Sequence, residues 1–396
     1  MKVLFINTVF GRGSTGRIVS EIGARVEEMG GSYMVAYGRG EESDDPHAFF
    51  IGSKADYYLH ALLTRITDKC GFYSKTATKK LIGFIREYQP DIIHLHNLHG
   101  YYLNVEILFH YLKTEFTGKV VWTLHDCWAF TGHCVHFTIA GCNRWKKGCR
   151  SCPQKNTYPV SNLRDNSREN YRKKKELFTG VPNLQIVTVS KWLKSVAEQS
   201  FLKDYPITCV YNGIDDRNFH PVENNVKNEL GIEDKKMILM VSDGWNEQKG
   251  YSKTLETAGI APENWHFVMV GVTEKQTAEL PENITGWGGL WAPGKLIEYY
   301  SAADVFFNPS LEETFGLVTA EAIACGTPAV VMDSTACPEP LNGYGVVLDT
   351  YTPEAALKAI KECLTIPKNQ SVNHFTLEKM TAGYLACYKS ETERPA

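Results

Sequence analysis

Pro309-Ser310-Leu311-Glu312-Glu313-Thr314-Phe315-Gly316-Leu317-Val318-Thr319-Ala320-Glu321-Ala322-Ile323-Ala324-Cys325-Gly326-Thr327-Pro328 lies between two short apolar runs, Asp304–Phe307 and Ala329–Met332. The order reads as strand, loop, helix, turn, strand, with Gly316 opening the helix and Gly326-Thr327-Pro328 closing it. Amides near Gly316 can meet phosphate oxygens. Glu321, about one and a half turns later, can reach sugar or ribose hydroxyls. Two acids here disfavour a bare anion and favour a ligand carrying both phosphate and hydroxyls. The alternative is that they only cap the helix.

The same grammar extends outward. Met237–Val241 and His266–Val270 are further short strands, and Glu354–Leu364 is a helix. In the first half, Val3–Ile6, Tyr33–Tyr37, Ile92–His96, Val120–Leu124 and Ile186–Val189 read as buried strands, with a helix over Arg17–Met29 and mostly helix over 54–88. Repeated strand–helix units predict an α/β fold with parallel sheets covered on both faces. Ligands then gather at the carboxyl ends of the strands. A length of 396 residues predicts two domains. The junction falls near Asp204–Val210, giving an amino-terminal domain over 1–205 and a second over 206–374, facing a central cleft.

Hydrophobic residues make up 43% and the formal charge is -3, which argues against a disordered chain and against a globally basic nucleic-acid binder. The apolar run Val3–Phe10 is short for a secretion signal, and nothing approaches the roughly 18 apolar residues of a membrane span. A cytoplasmic location is expected.

Gly11, Gly13 and Gly16 match G-x-G-x-x-G between a strand and a helix, although the second strand ends Ala36-Tyr37-Gly38-Arg39 without the acid of a dinucleotide site. Another phosphate-containing ligand, a dinucleotide and a simple tight turn are the three readings. Seven of the 12 histidines lie between His94 and His136. His94 and His96 share a strand face, predicting a polar rim, and His125-Asp126 follows Val121–Leu124, where it can contact a ligand or form a structural pair.

Cys134-x7-Cys142-x6-Cys149-x2-Cys152 has the ligand number and the close pair of a structural zinc site. Free buried thiols, a disulfide and iron–sulfur chemistry are the alternatives. Arg144 to Lys175 holds eleven cations opposed by Asp165 and Glu169. A solvated helix surface, an anionic membrane surface or lipid-phosphate acceptor, and nucleic acid are the alternatives for this run, which carries no nucleic-acid signature.

The stretch from Glu313 to Glu321 closely resembles the E-x7-E donor motif of retaining glycosyltransferases of family 4, which have the GT-B fold of two Rossmann-like domains. The resemblance covers nearly the whole chain: the Gly13–Gly16 loop, His125, Ser190-Lys191, Asn212-Gly213-Ile214-Asp215 and Lys249-Gly250. Phe375-Thr376-Leu377-Glu378-Lys379-Met380 resembles the start of the final helix, which implies that 375–396 returns to the amino-terminal domain. The resemblance implies transfer from a nucleotide-diphosphate sugar without a catalytic cofactor. Glu313 would contact donor-sugar hydroxyls and Glu321 the ribose. Lys249 would neutralise the diphosphate beside amides around Gly13, Gly16, Phe315, Gly316 and Leu317, and His125 would contact the transferred sugar.

One position departs from the family pattern: Gly244 stands where an arginine usually assists the lysine, leaving Arg17 or another cation to do so. The cysteine segment further resembles transferases of bacterial surface-polysaccharide pathways of colanic-acid type. That implies a saccharide acceptor, often linked to polyprenyl diphosphate. The basic run from Arg144 to Lys175, with Phe72, Tyr73, Lys75, Lys79 and Lys80, adds the expectation of work at the inner face of the cytoplasmic membrane. A nucleotide-sugar epimerase and a non-catalytic nucleotide-sugar-binding protein are the rival functions.

Overall fold

The computed structural model describes residues 1–288, 293–368 and 374–390. The chain divides into two compact units, Met1–Tyr211 with the segment from Glu378, and Asn212–Leu377.

In the first unit the elements run β1 (Lys2–Asn7), α1 (Gly13–Glu28), β2 (Ser32–Tyr37), β3 (Ala48–Phe50), α2 (Lys54–Thr67), α3 (Lys75–Tyr88) and β4 (Ile92–Leu95). They continue with α4 (Val105–Thr114), β5 (Lys119–Leu124), α5 (Ser167–Phe178), β6 (Leu184–Thr188), α6 (Lys191–Ala197) and β7 (Ile207–Cys209). The sheet order is β3-β2-β1-β4-β5-β6-β7, and every pairing is parallel. β1 is buried from Val3 onward because both its faces are covered, and α1 turns Ile18, Val19, Ile22 and Val26 toward it. Under the sheet, Phe109, Trp122 and Phe178 form a ring cluster with centroids 4.4–5.4 Å apart.

The second unit holds α7 (Val226–Glu229), β8 (Lys236–Val241), α8 (Tyr251–Gly259), β9 (Trp265–Val270), α9 (Glu274–Ala278), β10 (Ile284–Trp287) and α10 (Pro293–Ala302). β11 (Val305–Asn308), α11 (Leu317–Ala324), β12 (Ala329–Met332), β13 (Gly345–Leu348) and α12 (Pro353–Cys363) follow. Its sheet, β10-β9-β8-β11-β12-β13, is also wholly parallel. Both sheets are therefore doubly wound, and each reverses its winding at one place: between β1 and β4, and between β8 and β11. Loops diverge there and leave a crevice at the strand carboxyl ends.

Four edge strands, β3, β7, β10 and β13, go beyond the sequence reading. They are only three or four residues long and mostly half-exposed, so their apolar signal is weak. The pairing of β7 with β6 carries the first unit past the expected junction to Tyr211. The last helix, α13 (Leu377–Lys389), lies almost wholly in the first unit. There Tyr388 bonds to His94 at 2.7 Å and Thr123 donates to the Tyr384 hydroxyl at 3.4 Å.

Candidate functional site

In the second unit, the crevice between β8 and β11 is built from two loops pressed together. Leu311 N donates to Gln248 O at 3.0 Å, and a Cβ at Gly250 would stand 2.7 Å from the Pro309 ring, so this position tolerates only glycine. That contact places Lys249 beside Glu313, with Nζ 2.6 Å from Oε1. Burial alone would lower the Lys249 ammonium, but Glu313 outweighs it and the group is raised above its ordinary value. Glu313 is positioned through its backbone: its amide donates to Thr335 Oγ1 at 2.9 Å and its carbonyl accepts from Ala336. Sequence reading missed Thr335, which is 22 residues from Glu313 and marked by no local pattern.

Gly316 caps α11 without a side-chain cap, so the first amides of that helix, at Leu317 and Val318, have no intrahelical carbonyl. Phe315 is buried behind them. Glu321 is 6% exposed, and its Oε2 accepts from the Tyr300 hydroxyl at 3.0 Å. Lys249, Glu313 and the start of α11 thus share one rim, and Glu321 sits about one helical turn further in. One cation, amides without helix partners and two carboxylates can hold a ligand that is both anionic and hydroxylated. Gly244 follows β8 with φ 99°, a conformation that strains an arginine.

In the first unit, the crevice between β1 and β4 carries the glycine loop. Gly11 and Gly13 have φ 65° and 63°, with open space where their side chains would be. A Cβ at Gly16 would lie 3.3 Å from Gly11 N, so α1 starts close against the strand end. Thr8 Oγ1 donates to Asn97 O and His99 O, tying this loop to the one after β4.

The histidines correct the expected polar rim. His94 and His96 are 0% and 1% exposed. Burial first, then neighbouring imidazoles, push both well below the ordinary histidine value. His96 Nδ1 meets His125 Nε2 at 2.9 Å. Burial lowers His125 to about 4 despite Asp126, so its ring is neutral at pH 7 and its Nδ1 edge is left for other contacts. Burial would raise the Asp126 carboxyl, but His99, with Nε2 at 2.6 Å, reverses this and the group is lowered. His99, Asp126 and Tyr158 form a chain, with 3.1 Å between His99 Nδ1 and the Tyr158 hydroxyl. His99 was not singled out from sequence, because its partners lie 27 and 59 residues away.

The expected zinc site is overturned. Among the described residues no group of three or more His, Cys, Asp or Glu side chains is arranged to hold a metal, and Cys134, Cys142, Cys149 and Cys152 are free thiols. Spacing gave the ligand count but not the side-chain directions. Cys149 Sγ takes the Gly132 amide at 3.2 Å, and the Cys134 thiol shares a hydrogen bond with the Cys152 thiol. The segment is fastened instead by Trp145, packed against Phe130 and Phe137 at 5.5 and 4.8 Å, and by Asp165, which accepts from Cys152 N at 2.6 Å. Lys174, counted in the basic run, is buried too: its ammonium donates to Trp128 O and Thr131 O and lies 3.4 Å from the Trp128 ring centroid.

Residues 15–218 match the profile described as Glycosyltransferase Family 4, and 222–374 match Glycosyl transferases group 1. A curated relative, the putative colanic acid biosynthesis glycosyl transferase WcaC of Escherichia coli (strain K12), is 24% identical across 87% of this chain and 86% of its own. Among solved structures, a glycosyltransferase from Rickettsia africae ESF-5 superposes with TM-score 0.67 at 17% identity, covering 98% of this chain and 97% of that one. HepE of Anabaena in complex with UDP and glucose gives 0.65 at 14% identity, covering 98% of each. These likenesses establish the GT-B fold. The chain belongs to glycosyltransferase family 4.

Proposed function

We propose that this family 4 glycosyltransferase moves a sugar from a nucleotide-diphosphate sugar to a saccharide with retention of anomeric configuration. The acceptor is read as lipid-linked, and the pathway as assembly of a bacterial exopolysaccharide, capsule or O-antigen. The observation that carries the donor reading is the Lys249–Glu313 pair, 2.6 Å apart where the second sheet reverses its winding. The resemblance to the colanic-acid relative supports the pathway.

In this reading the donor diphosphate displaces Glu313 as the counterion of Lys249 and takes the free amides of α11. Glu313 is then released to accept hydrogen bonds from the donor sugar, and Glu321 from the ribose. The bond between the anomeric carbon and the diphosphate oxygen breaks, and its electron pair leaves with the diphosphate, stabilised by Lys249. The acceptor oxygen bonds to that carbon on the same face, and its proton passes to the leaving phosphate oxygen. Neutral His125 holds a hydroxyl of the transferred sugar. No described helix is long and apolar enough to cross a membrane, and this reading puts the enzyme peripherally on the inner face of the cytoplasmic membrane.

The test is a thermal-shift screen of nucleotide sugars followed by transfer assays with the stabilising donor. One donor should raise the melting temperature of the wild-type chain and not that of Lys249→Ala. Hydrolysis or transfer should occur with the wild type alone. A screen in which no nucleotide sugar binds, or in which Lys249→Ala transfers as well as wild type, rejects the donor site.

A further inference from the structure

α2 is amphipathic in the wrong sense for a helix that only covers a sheet. Its fully buried residues are polar: His60 and Thr64, followed by Asp68 just beyond the helix. Its outward stripe is apolar, with Tyr58 68%, Leu59 57%, Leu62 55% and Ile66 39% exposed. At about 100° per residue these four side chains fall within one stripe. Most of the inward polar side is held in place: His60 Nδ1 meets Ser74 Oγ at 2.8 Å, Gly71 N donates to His60 Nε2, and Asp68 pairs with His133, while Thr64 Oγ1 is buried without a hydrogen-bond partner. The outward stripe therefore is not a core face turned over by chance.

The ridge continues onto a second segment. Asn162 N donates to Arg65 O at 2.8 Å, which sets Leu163, 70% exposed, beside the end of α2. Exposed Arg65 and Arg164 flank these leucines. Beyond Arg164 opens a groove of about 1060 Å³, lined by seven cations including Arg150, Arg168 and Lys175, against Asp165 and Glu169. Asp165 is engaged with backbone amides and Glu169 with Arg172.

We propose that this ridge, Tyr58, Leu59, Leu62, Ile66 and Leu163, docks the protein on an anionic lipid bilayer, with the apolar side chains among the acyl chains and the neighbouring cations on the headgroups. Apolar side chains ringed by Lys and Arg are the composition of an element lying in the interface plane. A second copy of this chain is the poorer occupant. A two-fold contact on the ridge would bring Arg65, Arg164 and the groove against their own symmetry mates, like charge on like charge. The proposal rests on the reading of a lipid-linked acceptor only for its purpose, since the ridge is observed independently of it.

The experiment uses the full chain with vesicles of phosphatidylcholine, alone or mixed with phosphatidylglycerol. Wild type should cosediment with the anionic vesicles and keep a salt-resistant fraction. The L59S/L62S pair should weaken the partition about tenfold or more and lose that fraction. R65Q/R164Q should weaken binding at low salt only. All these side chains are exposed, so melting curves should stay unchanged, as should stabilisation by the donor in lipid-free buffer. Equal binding of wild type and L59S/L62S overturns the ridge, as does equal binding to neutral and anionic vesicles. A dimer in sedimentation that L59S/L62S dissociates also overturns it, in favour of the second copy. Loss of transfer with intact vesicle binding would count against the transferase reading and leave the ridge standing.

Discussion

The two units wind their sheets alike yet place their polar groups differently. In the second, an ion pair stands at the rim, within two loops and one helix: Lys249 beside Glu313, and the free amides of α11 next to them. In the first, polar side chains lie inside and are held across long stretches of chain. His94 bonds to Tyr388, and buried Asn104 donates to Phe72 O at 2.7 Å while capping α4 through Ile107 N. A rim charge serves a ligand and contributes little to folding, whereas an interior polar group must be satisfied or the fold pays. Substitutions at the Lys249–Glu313 rim should therefore move chemistry, and those in the buried polar network of the first unit should move stability.

Lys249→Ala should cut transfer most, by about 10²–10³ in kcat/KM, while leaving the melting curve of the unliganded chain nearly unchanged. A large drop in melting temperature would break the contrast. Next, Asn104→Ala removes a helix cap and strands the Phe72 carbonyl. It should destabilise the first unit by about 2–3 kcal/mol, with hydrogen exchange rising there first and kcat at low temperature preserved. Glu321→Gln should weaken nucleotide binding by about tenfold, measured by calorimetry, with the Tyr300 contact retained.

The smallest effect is in pH. His94, His96 and His125 have folded values below their unfolded ones, so the unfolded chain binds more protons in the acid range and stability rises with pH there. As pH falls from 6.5 toward about 4, the first unit should soften before the second, lowering its unfolding midpoint by several degrees. His133 works in the opposite sense. Burial would lower it, but Asp68 raises it, so its contribution is complete below 6.5 and is lost as pH rises. Simultaneous softening of both units in hydrogen exchange would defeat the assignment.

The same contrast explains what could be read in advance. Glu313, Gly316 and Glu321 lie within nine residues, so the strand–loop–helix order alone brings them to one rim. Lys249 needed the likeness to known transferases, because 64 residues separate it from Glu313. In the first unit, alternation could say that His94 and His96 share a face but not that α13 covers it. The cysteines show the same limit: spacing counts thiols, whereas Trp145 and Asp165 decide where they point. The outward leucines of α2 carry an ordinary helical period, and only their exposure distinguishes them from a core stripe.

The position of α13 bears on how the chain is made. Tyr388 reaches His94 across 294 residues, so the first sheet cannot close over its buried histidines until α13 has left the ribosome. Asn212–Leu377, by contrast, is one uninterrupted segment that can complete its contacts once it has emerged. The half translated first is therefore the half finished last. Through most of synthesis that face, with His94 and Thr123 on it, waits without its covering helix.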